Sequence, residues 1–252
     1  MLMFLRHPFL QRLRISFMEA LASIPKDGQA IIIGSSGAIG AALAVVVRKT
    51  GFPLVHCFNR SSGFDLTSEV SIKRAAEQVK DCDLPVRFLF VAAGFLHDDD
   101  QMPEKSMREI TPQYLEKAFK LNAIGPALVL KCFTPLLAKR EKAVVAALSA
   151  KVGSIGDNQL GGWYGYRASK AALNQLIKTS AIELKRRNSD TLCVALHPGT
   201  VASRLSKPFQ KAGLDVRLPS VAAEELAAVV DALDGVNASG GFYDYKGNQL
   251  PW

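Results

Sequence analysis

A chain of 252 residues, 48% of them hydrophobic, is large enough for one sizeable α/β domain and too short for two full ones. Four cysteines (Cys57, Cys82, Cys132, Cys193) and four histidines (His7, His56, His97, His197) are scattered without metal-ligand spacing. That pattern argues against a metal site and for a reducing compartment, the cytoplasm. The formal charge of +8 comes from dispersed lysines and arginines, with no long run and no aromatic interleaving. It excludes a nucleic-acid groove and fits a basic surface that attracts an anionic cofactor.

The first seventeen residues, MLMFLRHPFLQRLRISF, are apolar and basic (Arg6, Arg12, Arg14) and contain no acid. We read 1–17 as an N-terminal appendage of unknown role: a targeting segment, a membrane-surface helix or an upstream start. No small-residue cleavage site follows it, and one folded domain is expected over 18–252. From Gly28 to Val47 there are twenty uncharged residues, enough to span a bilayer. Gly34, Ser35, Ser36, Gly37 and Gly40 divide them into a strand, a turn and a helix, so no membrane span is expected.

Strands are predicted at Ala30 to Ile33, Leu54 to Phe58, Arg87 to Val91, Ala143 to Leu148, Thr191 to Leu196 and Gly241 to Tyr245. Helices are predicted at Ala38 to Lys49, Val70 to Val79, Tyr114 to Leu137, Trp163 to Arg187 and Val221 to Leu233. Repeated βα units with Val/Ile/Leu-rich strands specify a doubly wound parallel sheet of the Rossmann type, in a single domain.

The turn Gly34-Ser35-Ser36-Gly37-Ala38-Ile39-Gly40 leaves the first strand and opens the first helix. Glycines there let backbone amides approach a pyrophosphate at the positive end of a helix. Where an NAD site usually carries a carboxylate, the second strand ends in Asn59-Arg60. The planar, permanently charged fork of Arg60 suits a 2′-phosphate and points to NADP(H). Further on, Tyr166 and Lys170 are four residues apart and share a helix face. An ammonium one turn from a phenol is expected to draw its pKa down toward working pH, which suits proton exchange with a carbonyl oxygen.

The glycine-rich turn and the Tyr166/Lys170 pair together resemble the short-chain dehydrogenase/reductase family, over about residues 29 to 252. Within it the chain is most similar to the C-factor and Sniffer-type carbonyl reductase branch. Glu104-Lys105-Ser106, Gly161-Gly162-Trp163-Tyr164 and His197-Pro198-Gly199-Thr200-Val201 carry that closer match.

The resemblance implies a cofactor turn at Gly34, Ser35, Ser36, Ile39 and Gly40, although Gly37 comes one residue early and Ala38 fills the ordinary glycine slot. It implies adenine contacts at Asp65 and Leu66, and a floor under the ribose at Ala92, Ala93 and Gly94, where the family has two asparagines before its Ala-Gly. A cap over the nicotinamide is implied at Pro198, Gly199, Thr200 and Val201. Tyr166 becomes the general acid/base, Lys170 the residue that lowers its pKa and holds the nicotinamide ribose, and Asn122 the holder of a relay water. The usual serine slot holds Ala150; Ser149 beside it is the candidate hydroxyl, with Ser154 further along the loop as the alternative.

The implied activity is hydride transfer between NADP(H) and a small carbonyl or alcohol substrate, by a homodimer or homotetramer. The alternative is a nucleotide-binding signalling or regulatory protein of C-factor type with little turnover. Two further features are expected from the chain itself. Asp98, Asp99 and Asp100 read as a solvated acidic loop, and the stretch from Ser203 to Pro219, with Arg204, Lys207, Lys211 and Arg217, resembles a mobile substrate lid. Phe95 and Trp163 either line an apolar pocket or simply pack.

Overall fold

Short apolar runs separated by amphipathic ones leave the backbone one economical solution, a parallel sheet with helices over both faces. A computed structural model describes residues 20–210 and 213–252; the expected appendage at 1–17 and Lys211 lie outside the described residues. In chain order the elements are β1 (Gln29–Ile33), α1 (Ala38–Arg48), β2 (Leu54–Phe58), α2 (Glu69–Lys80) and β3 (Val86–Val91). Next come α3 (Pro112–Phe119), α4 (Gly125–Phe133), β4 (Ala143–Leu148), α5 (Tyr164–Arg187) and β5 (Thr191–His197). The last are β6 (Thr200–Val201), β7 (Val216–Arg217), α6 (Pro219–Ala232), α7 (Gly235–Ala238) and β8 (Phe242–Asp244).

Six strands form one parallel sheet in the order β2-β1-β3-β4-β5-β8. The order reverses beside β1, with β2 on one side and β3 on the other, which is where doubly wound sheets open a crevice at their carboxyl ends. Strand alternation sends Ile31 and Ile33 of β1 to one face, against Ile72, Phe133 and Ile177. Ala30 and Ile32 go to the other, against Leu43, Val47, Leu226 and Val230. The fold is thus the expected Rossmann-type single domain.

The helix expected from Tyr114 to Leu137 is interrupted. Between α3 and α4 the chain makes a π-helical turn over Lys120–Ile124, and after α4 a short 3₁₀ turn over Thr134–Leu136. Pro126 explains the first break: it has no N–H to give the carbonyl of Asn122, and its ring crowds that carbonyl. The two-residue strands β6 and β7 were not anticipated either. They pair in parallel and clasp the two ends of the loop between them.

Ile32 is fully buried at the centre of the sheet. Ile32→Ala is expected to lower the unfolding free energy by about 2–5 kcal/mol, read as a shift of the urea midpoint at unchanged slope.

Candidate active site

Strand register brings the expected site together. Ile33 is level with Phe58 on one side and Val91 on the other, Val91 with Ala147, and Leu148 with Leu196. The residues that follow each strand, Gly34, Asn59, Ala92, Ser149 and Pro198, therefore line one carboxyl edge.

At the crevice, Gly34 has φ +84°, and a Cβ there would meet the Ala93 amide nitrogen at 2.9 Å. Gly40 must be bare for a different reason: a Cβ would sit 2.3 Å from the Gly34 carbonyl oxygen. The turn thus folds back on its own helix and presses against the Ala92-Ala93 floor. Gly37 occupies the N-cap of α1 without a side-chain cap, and the first turn carries no acid, so the positive end of the helix is open to an anion. Ser35 and Ser36 lie in this turn, and Ile39 packs its side chain into the core.

Asn59 joins this turn to the second loop through its Nδ2, which donates to Ser35 Oγ at 2.9 Å. It also caps the short turn that carries Arg60. The Arg60 side chain is exposed and makes no ion pair or hydrogen bond among the described residues, so its guanidinium is available to a ligand. The Asp65 carboxylate accepts from the amide and hydroxyl of Thr67, both at 2.8 Å, and these bonds hold its pKa below the ordinary value. Leu66 is buried, packed where Gly125 leaves room.

The Tyr166/Lys170 pair sits on the buried face of α5. Lys170 is 2% exposed, and its Nζ donates to the Leu148 carbonyl at the end of β4 at 2.8 Å. A Cβ on Gly94 would lie 3.5 Å from that Nζ and 3.7 Å from Asn122 Oδ1, so the three meet at one point of the edge. Asn122 is fully buried in the π turn. Its Oδ1 accepts from the Phe95 amide at 2.7 Å, and its Nδ2 donates to the Phe95 carbonyl at 2.8 Å and Ser169 Oγ at 3.0 Å. The side chain therefore clamps the loop after β3 to α5.

Lys170 Nζ lies 6.0 Å from the centre of the Tyr166 ring. Burial lowers Lys170 to about 7 and pushes Tyr166 upward from the usual phenol value. This corrects the expectation that the lysine draws the tyrosine down. Desolvation works against the ammonium as much as the phenolate, so the cation that would stabilise a phenolate is itself depleted. In this state the Tyr166 phenol keeps its proton.

The hydroxyl expected at Ser149 is turned elsewhere. Its backbone stays in the ladder, bonded to the Leu196 carbonyl, and its Oγ donates to Asn174 Oδ1 at 2.6 Å. Ser149 and Ala150 face opposite ways along the extended chain. Ser154 Oγ accepts from the Asp157 amide at 3.0 Å. Asn174 was missed from the sequence, although its spacing of four from Lys170 places it on the face of Tyr166.

Aromatic groups gather beside Tyr166. The Trp163 ring is edge-on to Tyr166 at 6.1 Å and to Phe209 at 4.8 Å, and Phe209 touches His97 at 5.5 Å. His97 Nε2 lies 3.2 and 3.1 Å from the carbonyls of Arg204 and Leu205. Arg204 also pairs with Asp99, and Asp98 with Lys117. The acidic loop thus braces the lid, and no carboxylate cluster among the described residues has the form of a metal site. Phe95 packs on Tyr114, whereas Trp163 packs on Tyr166 and Phe209. Pro198 and Gly199 follow β5, and Thr200 and Val201 form β6 of the clasp.

A strand order that reverses beside β1, an open helix N-terminus and a buried Tyr/Lys pair define a doubly wound α/β protein of nucleotide-binding type. The family model described as short chain dehydrogenase matches residues 59–214. A 1-hydroxy-2-glutathionyl-2-methyl-3-butene dehydrogenase from Rhodococcus sp. (strain AD45) is 30% identical over 75% of this chain and 79% of its own length. The C-signal of Myxococcus xanthus is 34% identical over 55% of this chain and 78% of its own length. The NADPH-bound carbonyl reductase from chicken fatty liver superposes with a TM-score of 0.78 at 21% identity, covering 93% of this chain and 98% of that one. Carbonyl reductase Sniffer of D. melanogaster gives 0.69 at 20% identity, covering 94% and 93%. The chain belongs to the short-chain dehydrogenase family of oxidoreductases.

The lowered Lys170 has a consequence for stability. Between its folded value of about 7 and the ordinary 10.5, the unfolded chain holds the extra proton, so stability rises with pH. Lys26, lowered to about 8, and Lys142 act in the same sense, whereas Cys193, raised from 9.0 to about 12, reverses the trend above its unfolded value. His197, lowered to about 4, acts only in a more acidic window. Without cofactor, the unfolding free energy is expected to climb between pH 7 and 9, with up to about 1.4 kcal/mol per pH unit from Lys170. Lys170→Met should remove that share, measured by urea unfolding at a series of pH values.

Proposed function

We propose that this protein is an NADP(H)-dependent carbonyl reductase in which Tyr166 is the proton donor. The observation that carries this is the Tyr166/Lys170 pair, buried at the carboxyl edge where Gly94, Asn122 and the end of β4 converge. The self-folded Gly34–Gly40 turn, the open N-terminus of α1 and the unpaired Arg60 fit the pyrophosphate and 2′-phosphate of NADP(H). Two structurally similar proteins, one with NADPH bound and one with NADP, support the same cofactor.

NADPH supplies the hydride. A ketone or aldehyde enters under Trp163 and Phe209 with its oxygen at the Tyr166 hydroxyl, which has no partner of its own among the described residues. As the carbon gains the hydride, the oxygen takes the Tyr166 proton. Lys170, poised to titrate near neutral pH, returns a proton to the tyrosine through water held at Asn122. With the cofactor bound, Ala92, Ala93 and Gly94 would underlie its ribose, Asp65 and Leu66 would bound its adenine, and Pro198, Gly199, Thr200 and Val201 would cap its nicotinamide.

Ser149 would have to leave Asn174 to serve as an oxyanion donor, so the role assigned to it is a small one. Four free thiols fit a reducing cytoplasm. Ile124 beside α4 and Ile182 on α5, both about half exposed, support a homodimer or homotetramer through these helices.

The second reading, a signalling or regulatory protein with little turnover, is favoured by the likeness to C-signal and by the engaged Ser149. NADPH oxidation over a panel of ketones and aldehydes separates the two. On our reading, Tyr166→Phe loses at least about 100-fold in kcat/KM, whereas Ser149→Ala loses less than about tenfold, well short of a true oxyanion donor. Cofactor binding without carbonyl-dependent turnover anywhere in the panel would favour the regulatory reading. Separately, Arg60→Ala should raise KM for NADPH by about tenfold or more, the loss of one charge-assisted phosphate contact, and leave KM for NADH nearly unchanged.

A further inference from the structure

Glu104 is a buried carboxylate for which the mechanism above has no use. It is 2% exposed, yet no lysine, arginine or histidine pairs with it among the described residues. Burying an unpaired carboxylate is expensive unless something else carries the opposite charge. Here that is the positive end of α5. Both carboxylate oxygens lie 3.2 Å from the Gly165 amide nitrogen, and the Glu104 carbonyl accepts from the Trp163 amide at 2.5 Å.

The helix has nothing of its own for this purpose. Trp163, its N-cap, makes no side-chain cap bond, and its first turn contains no acid. The approach is also built in sterically. A Cβ on Gly165 would lie 2.8 Å from the Tyr114 ring and 3.0 Å from a Glu104 oxygen, so only glycine admits them. Trp163 itself has φ +53° and follows Gly161 and Gly162 in the same left-handed region. The chain entering the helix is therefore held in an unusual path, and the Glu104 backbone fixes its last amide.

Tyr166 is the third residue of this helix. We infer that Glu104 is a positioning residue for the reaction: it caps the catalytic helix from a distant loop, fixing the place of Tyr166, and its negative charge opposes that of a Tyr166 phenolate. The inference rests on the proposed role of Tyr166. The titratable groups around the tyrosine are Lys170 on its own helix, Tyr114 from α3 and Glu104 from the loop after β3. The Asp98–Lys117 pair lies further out, and Tyr114 feels Glu104, Tyr166 and Asp98 together. The Tyr114 hydroxyl donates to the Leu96 carbonyl and so does not neutralise Glu104.

The sign of the charge effect follows. A nearby anion favours the protonated form of both Tyr166 and Lys170, so removing it lowers the pH at which the pair stops supplying protons. Glu104→Gln keeps an acceptor for the Gly165 amide and removes the charge. It should hold kcat for carbonyl reduction within about threefold and move the basic limb of its pH profile down by about half a unit or more. Glu104→Ala removes the cap as well. It should cut kcat at least about tenfold, as misplacement of a reacting group does, with KM for NADPH little changed.

Hydrogen exchange of the first turn of α5, read by mass spectrometry, gives an arm that needs no turnover. Exchange there should accelerate in Glu104→Ala and stay as in wild type in Glu104→Gln. Unchanged exchange in Glu104→Ala, or an unmoved basic limb in Glu104→Gln, overturns the inference. If wild type reduces no carbonyl compound at all, the proposed function fails, and the exchange data still decide whether Glu104 holds the helix. Should Glu104→Ala not fold, the pH profile of Glu104→Gln carries the decision.

Discussion

Everything at the carboxyl edge is arranged around one buried ammonium. Among the described residues Lys170 Nζ has a single hydrogen-bond partner, a carbonyl, and the residue is almost out of contact with water, a state that costs free energy unless the charge is lost or matched. The neighbours make it possible by being small. A Cβ on Gly153 would strike the Lys170 Cβ at 2.7 Å and its carbonyl carbon at 2.9 Å, so α5 can approach the end of β4 only because that position is bare. Gly94 leaves the opposite side open in the same way. Asn122 then fastens the loop after β3 to Ser169, the residue before the lysine. The result is a proton-exchanging group held near neutrality beside a phenol held well above it. On the proposed function, that separation of proton affinities serves a donor and its resupply.

Two layers of support surround this centre. The first is the sheet, whose register aligns five loops along one edge without help from any loop sequence. The second is the set of caps and clasps that place those loops. Asn59 joins the two nucleotide loops, His97 and Asp99 hold the lid, and β6 with β7 close its base. At the mouth of the clasp, Arg217 stacks on Tyr245 at 3.5 Å and pairs with Glu225 and Asp215. The two ends of this loop are thus held together, and its Phe209 ring lies edge-on to Trp163.

Much of this was legible in the chain. The strand at Ala143 to Leu148 was placed to the residue, because a strand buried on both faces is written as an unbroken apolar run; Leu54 to Phe58, the half-buried edge strand, was placed as well. The Tyr166 and Lys170 pairing on one helix face followed from spacing alone. Other features were hidden for identifiable reasons. The π turn at Asn122 depends on Pro126, which reads equally well as an ordinary early-helix proline. Glu104 carries no periodic signal, since its partner lies 61 residues away and is a backbone amide. The upward shift of Tyr166 was misjudged because spacing reports neighbours and not burial. Ser149 could be located but not aimed, as the strand pattern gives a side chain's face and not its hydrogen-bond partner.

The account stands on Lys170 being close to neutral in the free protein. Its ionisation can be followed directly from the side-chain carbon next to the ammonium, by NMR of protein labelled at lysine, with Lys170→Met supplying the assignment. A midpoint near 7 is the expected result. A midpoint at the ordinary lysine value of about 10.4 would contradict it, because the ammonium would then be a permanent charge and the Tyr166 phenol would have no poised group behind it.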